Sequence, residues 1–544
     1  MVTVSDAWKA KQLQRIVPES FLEISYLITQ EGLQERASAS STDEAVFSST
    51  SSVVEEHAVA KRYATNELNL WALDGSRTLL PQADPNNTGY VSNGLEAGSL
   101  VIRLSAVQME PIIGVTIRWC EEFGEYPTDF TVTAYRSDGV ATSGGDEIIL
   151  SDGSSLVISS GSAVAAKTIT GNTDVETIVE MELANFDFLV ISVAGWSLPQ
   201  HRARIESVVL GATITFTKRD LMSYSHSQTG CLLSGELPKN SITFSLDNSD
   251  DKWNPNNPQG LIKYLAERQK ITVRYGLDVD GTVEWIKAGT FYASEWDTPS
   301  NGISVSFTAR DVFEFMIDKK YEGITEGTLR EIAESAIAQA ELPSDVVVYL
   351  DDSLGWYETI ITGEQTLATV LQLCANAAGC VMYQDRDGAL HIEPIANRLS
   401  GHVIRMGWAY SYPEYELSKP LKAVSVTYGD NETYTHDVAT AGEVQSVSNA
   451  FIGSEGHART VAQWVGDILK NRKTIRGEFR ADPTIDVFDK VTVESKYGVN
   501  DAVFLTEIVY HFTGVFKGQY AGRIVPFNTV DAAYCGELYA GEYK

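Results

Sequence analysis

The residues able to do chemistry are present, but their spacing suits structure better than catalysis. The densest acidic run is Asp247-Asn248-Ser249-Asp250-Asp251. A calcium loop uses oxygen ligands at such spacing, but it needs a glycine at its sixth position and a glutamate at its twelfth. Lys252 and Pro258 stand there. A turn capped by its own Asp and Asn side chains is the expectation instead. Eight histidines (His57, His201, His226, His391, His402, His436, His457 and His511) include no i, i+4 pair for a metal. Five cysteines (Cys120, Cys231, Cys374, Cys380 and Cys535) are odd in number and scattered. Cys374 and Cys380 fit no zinc spacing, and the set is expected to stay reduced. The chain has no G-x-S-x-G nucleophile, no Walker loop and no H-E-x-x-H helix. Paired carboxylates could cleave a glycoside, but among 73 acidic residues some pair can always be found. The expectation is no enzyme, no cofactor and no metal.

Strand patterns dominate the elements that would position these residues. Phe21–Thr29 alternates, with Leu22, Ile24, Tyr26 and Ile28 on one face, and predicts a half-buried strand. A Ser/Thr-rich stretch, 38–52, follows as a linker or loop. From about Val53 to Ala212 short alternating runs are separated by turn clusters such as Asp84-Pro85-Asn86-Asn87, the spacing of a β-sandwich. Ser241–Leu246 and Ile271–Tyr275 are further strands, and Gly260–Arg268 between them is predicted to be helical. Clear helices follow at Thr328–Ala340, with the capping pair Thr328 and Glu331, at Thr366–Ala378, and at Glu455–Asn471. A hairpin is predicted at 380–394 around Asp385-Arg386-Asp387-Gly388. Two strand modules, about 220–316 and 420–525, flank the helical unit and hint at an internal duplication.

Length and charge narrow the class. The 544 residues predict three or four domains. Lys plus Arg is 42 against 73 Asp plus Glu, a net charge of −31. A protein that holds duplex DNA needs a cationic face, and nothing here supplies one. The segment 1–18 lacks the continuous apolar core of a secretory signal. The most apolar stretch, Phe186–Trp196, is short and carries Asp187, so no bilayer span is expected.

Two family resemblances add to this. Trp71–Gly75, Val115–Trp119, Tyr126–Val132, Leu189–Trp196 and Arg202–Gly211 follow in an order that resembles the discoidin-like, or galactose-binding-like, β-sandwich. That resemblance implies carbohydrate held by aromatic stacking with an Arg or His for hydroxyls, which here would be Trp196, His201 and Arg202. The competing reading has Trp196 packing a loop and Arg202 snorkelling or paired with an acid. Ser241–Leu277, with Gly289–Tyr292, Ser294–Trp296 and Phe307–Asp311, resembles the baseplate hub or tail-tip proteins of long-tailed bacteriophages. Arg480–Pro483, Asp489–Val493 and Tyr510–Gly514 are similar to the second tube module of that family.

The hub resemblance implies a mainly β protein with α+β parts. Its divisions would be a first segment and strand (1–30), an inserted sandwich (31–212), a first tube-like domain (213–320), a small α+β domain (321–420), a second tube-like domain (421–525) and a tail (526–544). It also implies a homotrimer whose six tube-like domains continue a sixfold tail tube in the virion, after assembly in the cytoplasm of the bacterial host. Implied partners are a tail-tube or distal tail protein, a tape-measure protein, tail fibres or receptor-binding proteins, and a host surface glycan. DNA would pass through without being specifically bound, beside an acidic wall, and no part would insert in a membrane. The alternative is a carbohydrate-binding adhesin or a cell-wall-degrading tail enzyme.

Overall fold

The computed structural model describes residues 2, 4–14, 19–30, 33–41 except 35, 63–64, 100–119, 124–137, 148–149, 155–156, 162–197, 204–230, 237–257, 260–297, 302–395 except 344 and 362, 399–429, 431–497 and 500–525. The chain is mainly antiparallel β, with several sheets and a minority of helix. It divides into two compact units, one made of 1–25, 215–260 and 270–544, the other of 26–214 and 261–269.

One thirteen-stranded sheet organises the first unit. Its strands are β1 (Ser20–Ile28), β2 (Ala212–Thr217), β3 (Leu221–Thr229), β4 (Lys239–Asp247), β5 (Lys270–Val279), β6 (Thr282–Asp297), β7 (Ser304–Arg310), β8 (Leu399–Ile404), β9 (Glu414–Leu417), β10 (Lys473–Arg480), β11 (Lys490–Glu494), β12 (Asn500–Phe512) and β13 (Phe516–Val525). The main path runs β2-β1-β5-β6-β7-β4-β3-β12-β13-β10-β9, with β11 beside β12 and β8 beside β11. Two of the boundaries between the units fall inside β1 and β2, and the other two flank 261–269. Leu22, Ile24, Tyr26 and Ile28 are all buried, as the alternation of β1 requires.

This sheet contains the same pattern twice. The order β3-β4-β7-β6-β5-β1 in the first half is matched strand for strand, in chain order, by β9-β10-β13-β12-β11-β8 in the second. The registers agree as well. One row across the first half is Lys270, Tyr292, Arg310, Ser241 and Ser227. Its counterpart is Lys490, Phe504, Arg523, Thr474 and Glu416. Each half carries a bulge two residues beyond the aromatic of that row, at Ser294 between Ala293 and Glu295 and at Thr506 between Leu505 and Glu507. The sequences around the row are related but short: Lys-Ile-Thr-Val at 270–273 against Lys-Val-Thr-Val at 490–493, and Ser294-Glu295 against Thr506-Glu507. The connection between β8 and β9 is only 405–413, whereas 29–220 intervenes between β1 and β3.

The helices sit between the two halves or inside the second. α1 (Asp6–Gln12) is an exception that no sequence periodicity announced; Ser5 caps it by accepting from the Trp8 N–H at 3.0 Å, and Trp8 is buried. α2 (Leu329–Ala340) starts with the expected capping box. The Glu331 N–H donates to Thr328 Oγ1 at 3.2 Å, and the Thr328 N–H to Glu331 Oε2 at 2.8 Å. α3 (Leu367–Ala377) ends just before Gly379, whose φ of 69° is a backbone shape glycine adopts without strain. The hairpin of Val381–Gln384 with Leu390–Glu393 lies where the sequence put it. α4 (Glu455–Leu469) packs on a separate three-stranded sheet of Leu421–Tyr428, Glu432–Asp437 and Glu443–Ser448, so Leu421–Tyr428 belongs to that small sheet and not to the large one. A single apolar core runs through α2, α3, α4 and these small sheets.

The expected helix at Gly260–Arg268 reduces to one 3₁₀ turn, Leu261–Tyr264. The Leu265 N–H bonds to the Ile262 carbonyl only three residues back, and the chain turns at Arg268 with φ 63° before β5. In the second unit a five-stranded and a three-stranded antiparallel sheet share one core containing Ile102, Trp119, Phe130, Ile191 and Val208. Among the described residues no helix is long and apolar enough to cross a membrane.

Candidate functional site

The candidate feature assembled by the fold is a seam between the two halves of the large sheet. β3 pairs antiparallel with β12 from Tyr224 opposite Phe512 to Thr229 opposite Glu507. Along one edge of β12, β11 covers the stretch up to Phe504 and β3 takes over at Glu507. The bulge at Thr506 lies at the change of partner. A bulge bends its strand and increases the local twist, which turns the edge from one neighbour to the next.

Buried polar side chains line each side of the seam, each held within its own half. His226 lies opposite Tyr510. Its Nδ1 is 2.7 Å from the Tyr275 hydroxyl, which is 2.9 Å from the Tyr224 hydroxyl, and its Nε2 is 2.7 Å from Asn240 Oδ1. The Tyr510 hydroxyl donates toward the Ile485 carbonyl at 2.6 Å and lies 3.0 Å from the Asp482 carbonyl. Burial pushes His226 down to about 4, so the ring is neutral at pH 7. Burial also drives the Tyr224, Tyr275 and Tyr510 hydroxyls well above their ordinary range, leaving them as neutral hydrogen-bonding groups.

Arg386, at the tip of the hairpin, locks this arrangement. Its Nε donates to both Asp486 carboxylate oxygens at 2.9 Å, Nη1 to the Lys287 carbonyl at 3.1 Å, and Nη2 to the Pro483 carbonyl at 2.8 Å. Lys287 is on β6 in the first half, and Pro483 and Asp486 lie between β10 and β11 in the second. Burial opposes the guanidinium charge, but the Asp486 carboxylate outweighs it and holds the group firmly protonated. Gln228 extends the network from β3 by accepting from the Val487 N–H at 3.1 Å. A cavity of about 510 Å³ opens beside the clamp, lined by Lys239, Trp285, Tyr383, Arg386, Asp486 and Phe488 among others. In its lining Arg386 pairs with Asp486, and the Tyr383 hydroxyl donates to Glu393 Oε1 at 2.6 Å.

The other sequence candidates resolve as follows. The acidic run 247–251 caps itself: Asp247 accepts from the Ser249 N–H at 3.0 Å and Asp250 from the Lys252 N–H at 3.2 Å. Among the described residues no group of three or more His, Cys, Asp or Glu could hold a metal ion. Trp196 is 5% exposed; its Nε1–H donates to Glu125 Oε2 at 2.7 Å and its ring meets Trp119 edge-on at 6.2 Å. It is therefore a core residue of the sandwich, and its ring offers no open face for stacking on a sugar. His201 and Arg202 lie outside the described residues. Cys374 and Cys380 are buried and free, and burial pushes the Cys380 thiol up to about 12. Sequence reasoning missed Arg386 because a charge between two aspartates in a turn reads as solvated. No local signal announces that two other segments will close over it.

A second exposed feature lies at the end of the sheet. All of β9 is exposed, and Tyr410, Tyr412, Tyr415 and Leu417 are each more than half exposed. Among the described residues β9 pairs with β10 alone.

No family model and no curated protein matches the chain. Solved structures similar to it include the 43 kDa tail protein of prophage MuSo2 from Shewanella oneidensis, at 12% identity and a TM-score of 0.42, covering 57% of this chain and 94% of that one. A tail protein from Neisseria meningitidis MC58 matches at 12% identity and a TM-score of 0.41, over 60% and 95%. Prophage tail protein gp18 from Listeria monocytogenes EGD-e matches at 12% identity and a TM-score of 0.39, over 57% and 91%.

Proposed function

We propose that this chain is a structural protein of a bacteriophage tail tip, a baseplate hub of which three copies form a pseudo-hexameric ring continuing the tail tube. The single observation that carries the reading is the duplicated sheet: two modules of one topology and register, fused side by side through β3 and β12. Two equivalent modules per chain turn a threefold assembly into six similar positions, the match a sixfold tube requires. The distant structural likenesses are not what this rests on. The sequence patterns at 241–277 and 480–514 point the same way. The sandwich would sit outside the ring as a peripheral module for a neighbouring tail protein or a surface ligand. Its chemistry is binding and assembly, not catalysis.

The −31 balance fits a wall that DNA slides past, since an acidic surface does not recruit phosphate. Electron microscopy of tails labelled with antibody against the chain tests the location. Label at the distal end of the tail is expected; label along the tube or on the head, or none, overturns the reading.

A further inference from the structure

The two halves of the sheet differ at the strand edge beyond their shared bulge, and that difference points to a partner. In the second half, the strand edge beyond the Thr506 bulge is covered by β3. In the first half, the equivalent edge of β6 beyond the Ser294 bulge is not covered: β5 stops at Tyr292, and among the described residues no other strand pairs with that side of Glu295–Asp297. The equivalent of β3 is β9, and among the described residues β9 has an open edge of its own. Among the described residues each chain thus carries one filled seam and the two unmatched halves of a second.

We infer that β9 of one copy adds antiparallel to the exposed edge of β6 in the next copy, repeating between chains the β3–β12 pairing made within each. This rests on the ring reading above and names its interface. The occupant is a second copy of this chain because the missing piece has the same place, neighbours and strand order as β3 already has. A heterologous contact of this kind, one patch on another, generates rings when it closes. An exposed edge strand carrying three tyrosines and a leucine on it or its approach is otherwise a liability that proteins avoid.

The duplication also fixes the register. Gln228 faces Ile508, and Ser227 faces Val509. The corresponding residues are Leu417 with Trp296 and Glu416 with Asp297. Leu417 and Trp296 supply an apolar pair, while Glu416 and Asp297 are like charges directly opposed, which weakens the contact at low salt. The seam therefore tightens as salt rises, the reverse of an ion-paired interface.

The test uses two full-length single variants, Leu417→Cys and Trp296→Cys. Mixed and mildly oxidised, they are expected to give a covalent dimer at least about tenfold above either variant alone, because directly opposed strand residues come within disulfide reach. Glu416→Gln, a surface change that leaves folding alone, is expected to strengthen self-association about two- to fivefold in analytical ultracentrifugation. Oligomers that form without the 417–296 cross-link overturn this seam and leave the ring reading standing. A chain that stays monomeric throughout, or whose β9 cross-links only to a different tail protein, overturns the seam as well. The tail-tip location is judged separately by the antibody label.

Discussion

Ser294 and Thr506 are the same residue of one motif built twice: each is the bulged position just after a strand pairing of Tyr292 with Arg310 or of Phe504 with Arg523. Each is followed by a glutamate, and each marks the point where the strand's outer edge is released from its hairpin partner. Bulges kept at equivalent places serve geometry, because a one-residue slip would turn every side chain beyond it to the wrong face.

Replacing Arg386 by methionine should be among the most damaging single changes. It removes donors to both halves and leaves the Asp486 carboxylate partly buried without its cation. Breaking such a pair by deleting one member costs about 3–5 kcal/mol. Arg386→Lys should recover little, since one ammonium cannot reach the same separated acceptors. Urea unfolding of the full chain gives the measurement; a loss below about 1 kcal/mol would refute the clamp.

Alkaline pH should loosen the α+β unit through His391. Its ring lies between Tyr349 and Tyr383, at centroid distances of 4.7 and 5.0 Å, and Nε2 is 3.1 Å from Asp385. Burial alone would lower its pKa, but the Asp385 and Glu393 carboxylates outweigh burial and hold it up at about 9. A folded pKa above the unfolded value near 6.5 gives stability that is fully present below 6.5 and lost as pH rises through about 9. The loss should be on the order of 2 kcal/mol. His391→Gln should flatten the pH 6–10 dependence of thermal melting.

Asp311 should behave the same way with pH for a different reason. It caps a short 3₁₀ turn by accepting from the Phe313 N–H, and burial pushes its carboxyl up to about 8. The neutral acid is the folded form, so its contribution is complete below the unfolded value near 4 and declines until pH passes about 8. Asp311→Asn keeps the cap without the ionisation. It should raise stability at pH 8 by about 1–3 kcal/mol, with a smaller change at pH 4.

Trp196→Ala should destabilise the sandwich by about 3–5 kcal/mol, the usual cost of an aromatic deleted from a core. Trp196→Phe should cost about 1–3 kcal/mol, because buried Glu125 loses its indole donor. Chemical denaturation measures both. A stable Trp196→Ala protein that no longer binds a glycan array would restore the carbohydrate role.

Duplex DNA should pass the purified chain unretarded in a gel-shift at about 50 mM salt, a condition that favours phosphate contacts. A salt-sensitive shift would show a cationic face that the net charge of −31 hides.

What the sequence revealed, and what it concealed, follows from the range of the forces involved. The box of Thr328 with Glu331 and the alternation of Leu22, Ile24, Tyr26 and Ile28 are local, and the structure has both. The turn at 247–251 was legible because its side chains bond their own backbone. The seam was not. Tyr224 and Phe512 are ordinary strand residues until topology pairs them, and Arg386 looks like a solvated turn charge until two other segments enclose it. Trp196 illustrates the same limit: an aromatic near a strand end reads equally well as a platform or as core, and only the Glu125 partner and Trp119 ring decide. The duplication was visible as two similar blocks of strands, but its proof lies in register, which short matches such as 270–273 and 490–493 could not carry alone.

The pairing of β3 with β12 also sets a timetable for biosynthesis. Tyr224 leaves the ribosome more than half a chain before its partner Phe512. At about 5–20 residues per second that delay is roughly 15–60 s. During it β3 presents an unpaired edge, and the hairpin that will deliver Arg386 is complete only after more than half of the interval has passed. Nascent chains on neighbouring ribosomes would meet edge to edge in that interval. A polysome is therefore the place where this sheet runs its greatest risk of pairing with the wrong copy, and a chaperone that binds extended strands would act there, before the C-terminal half arrives.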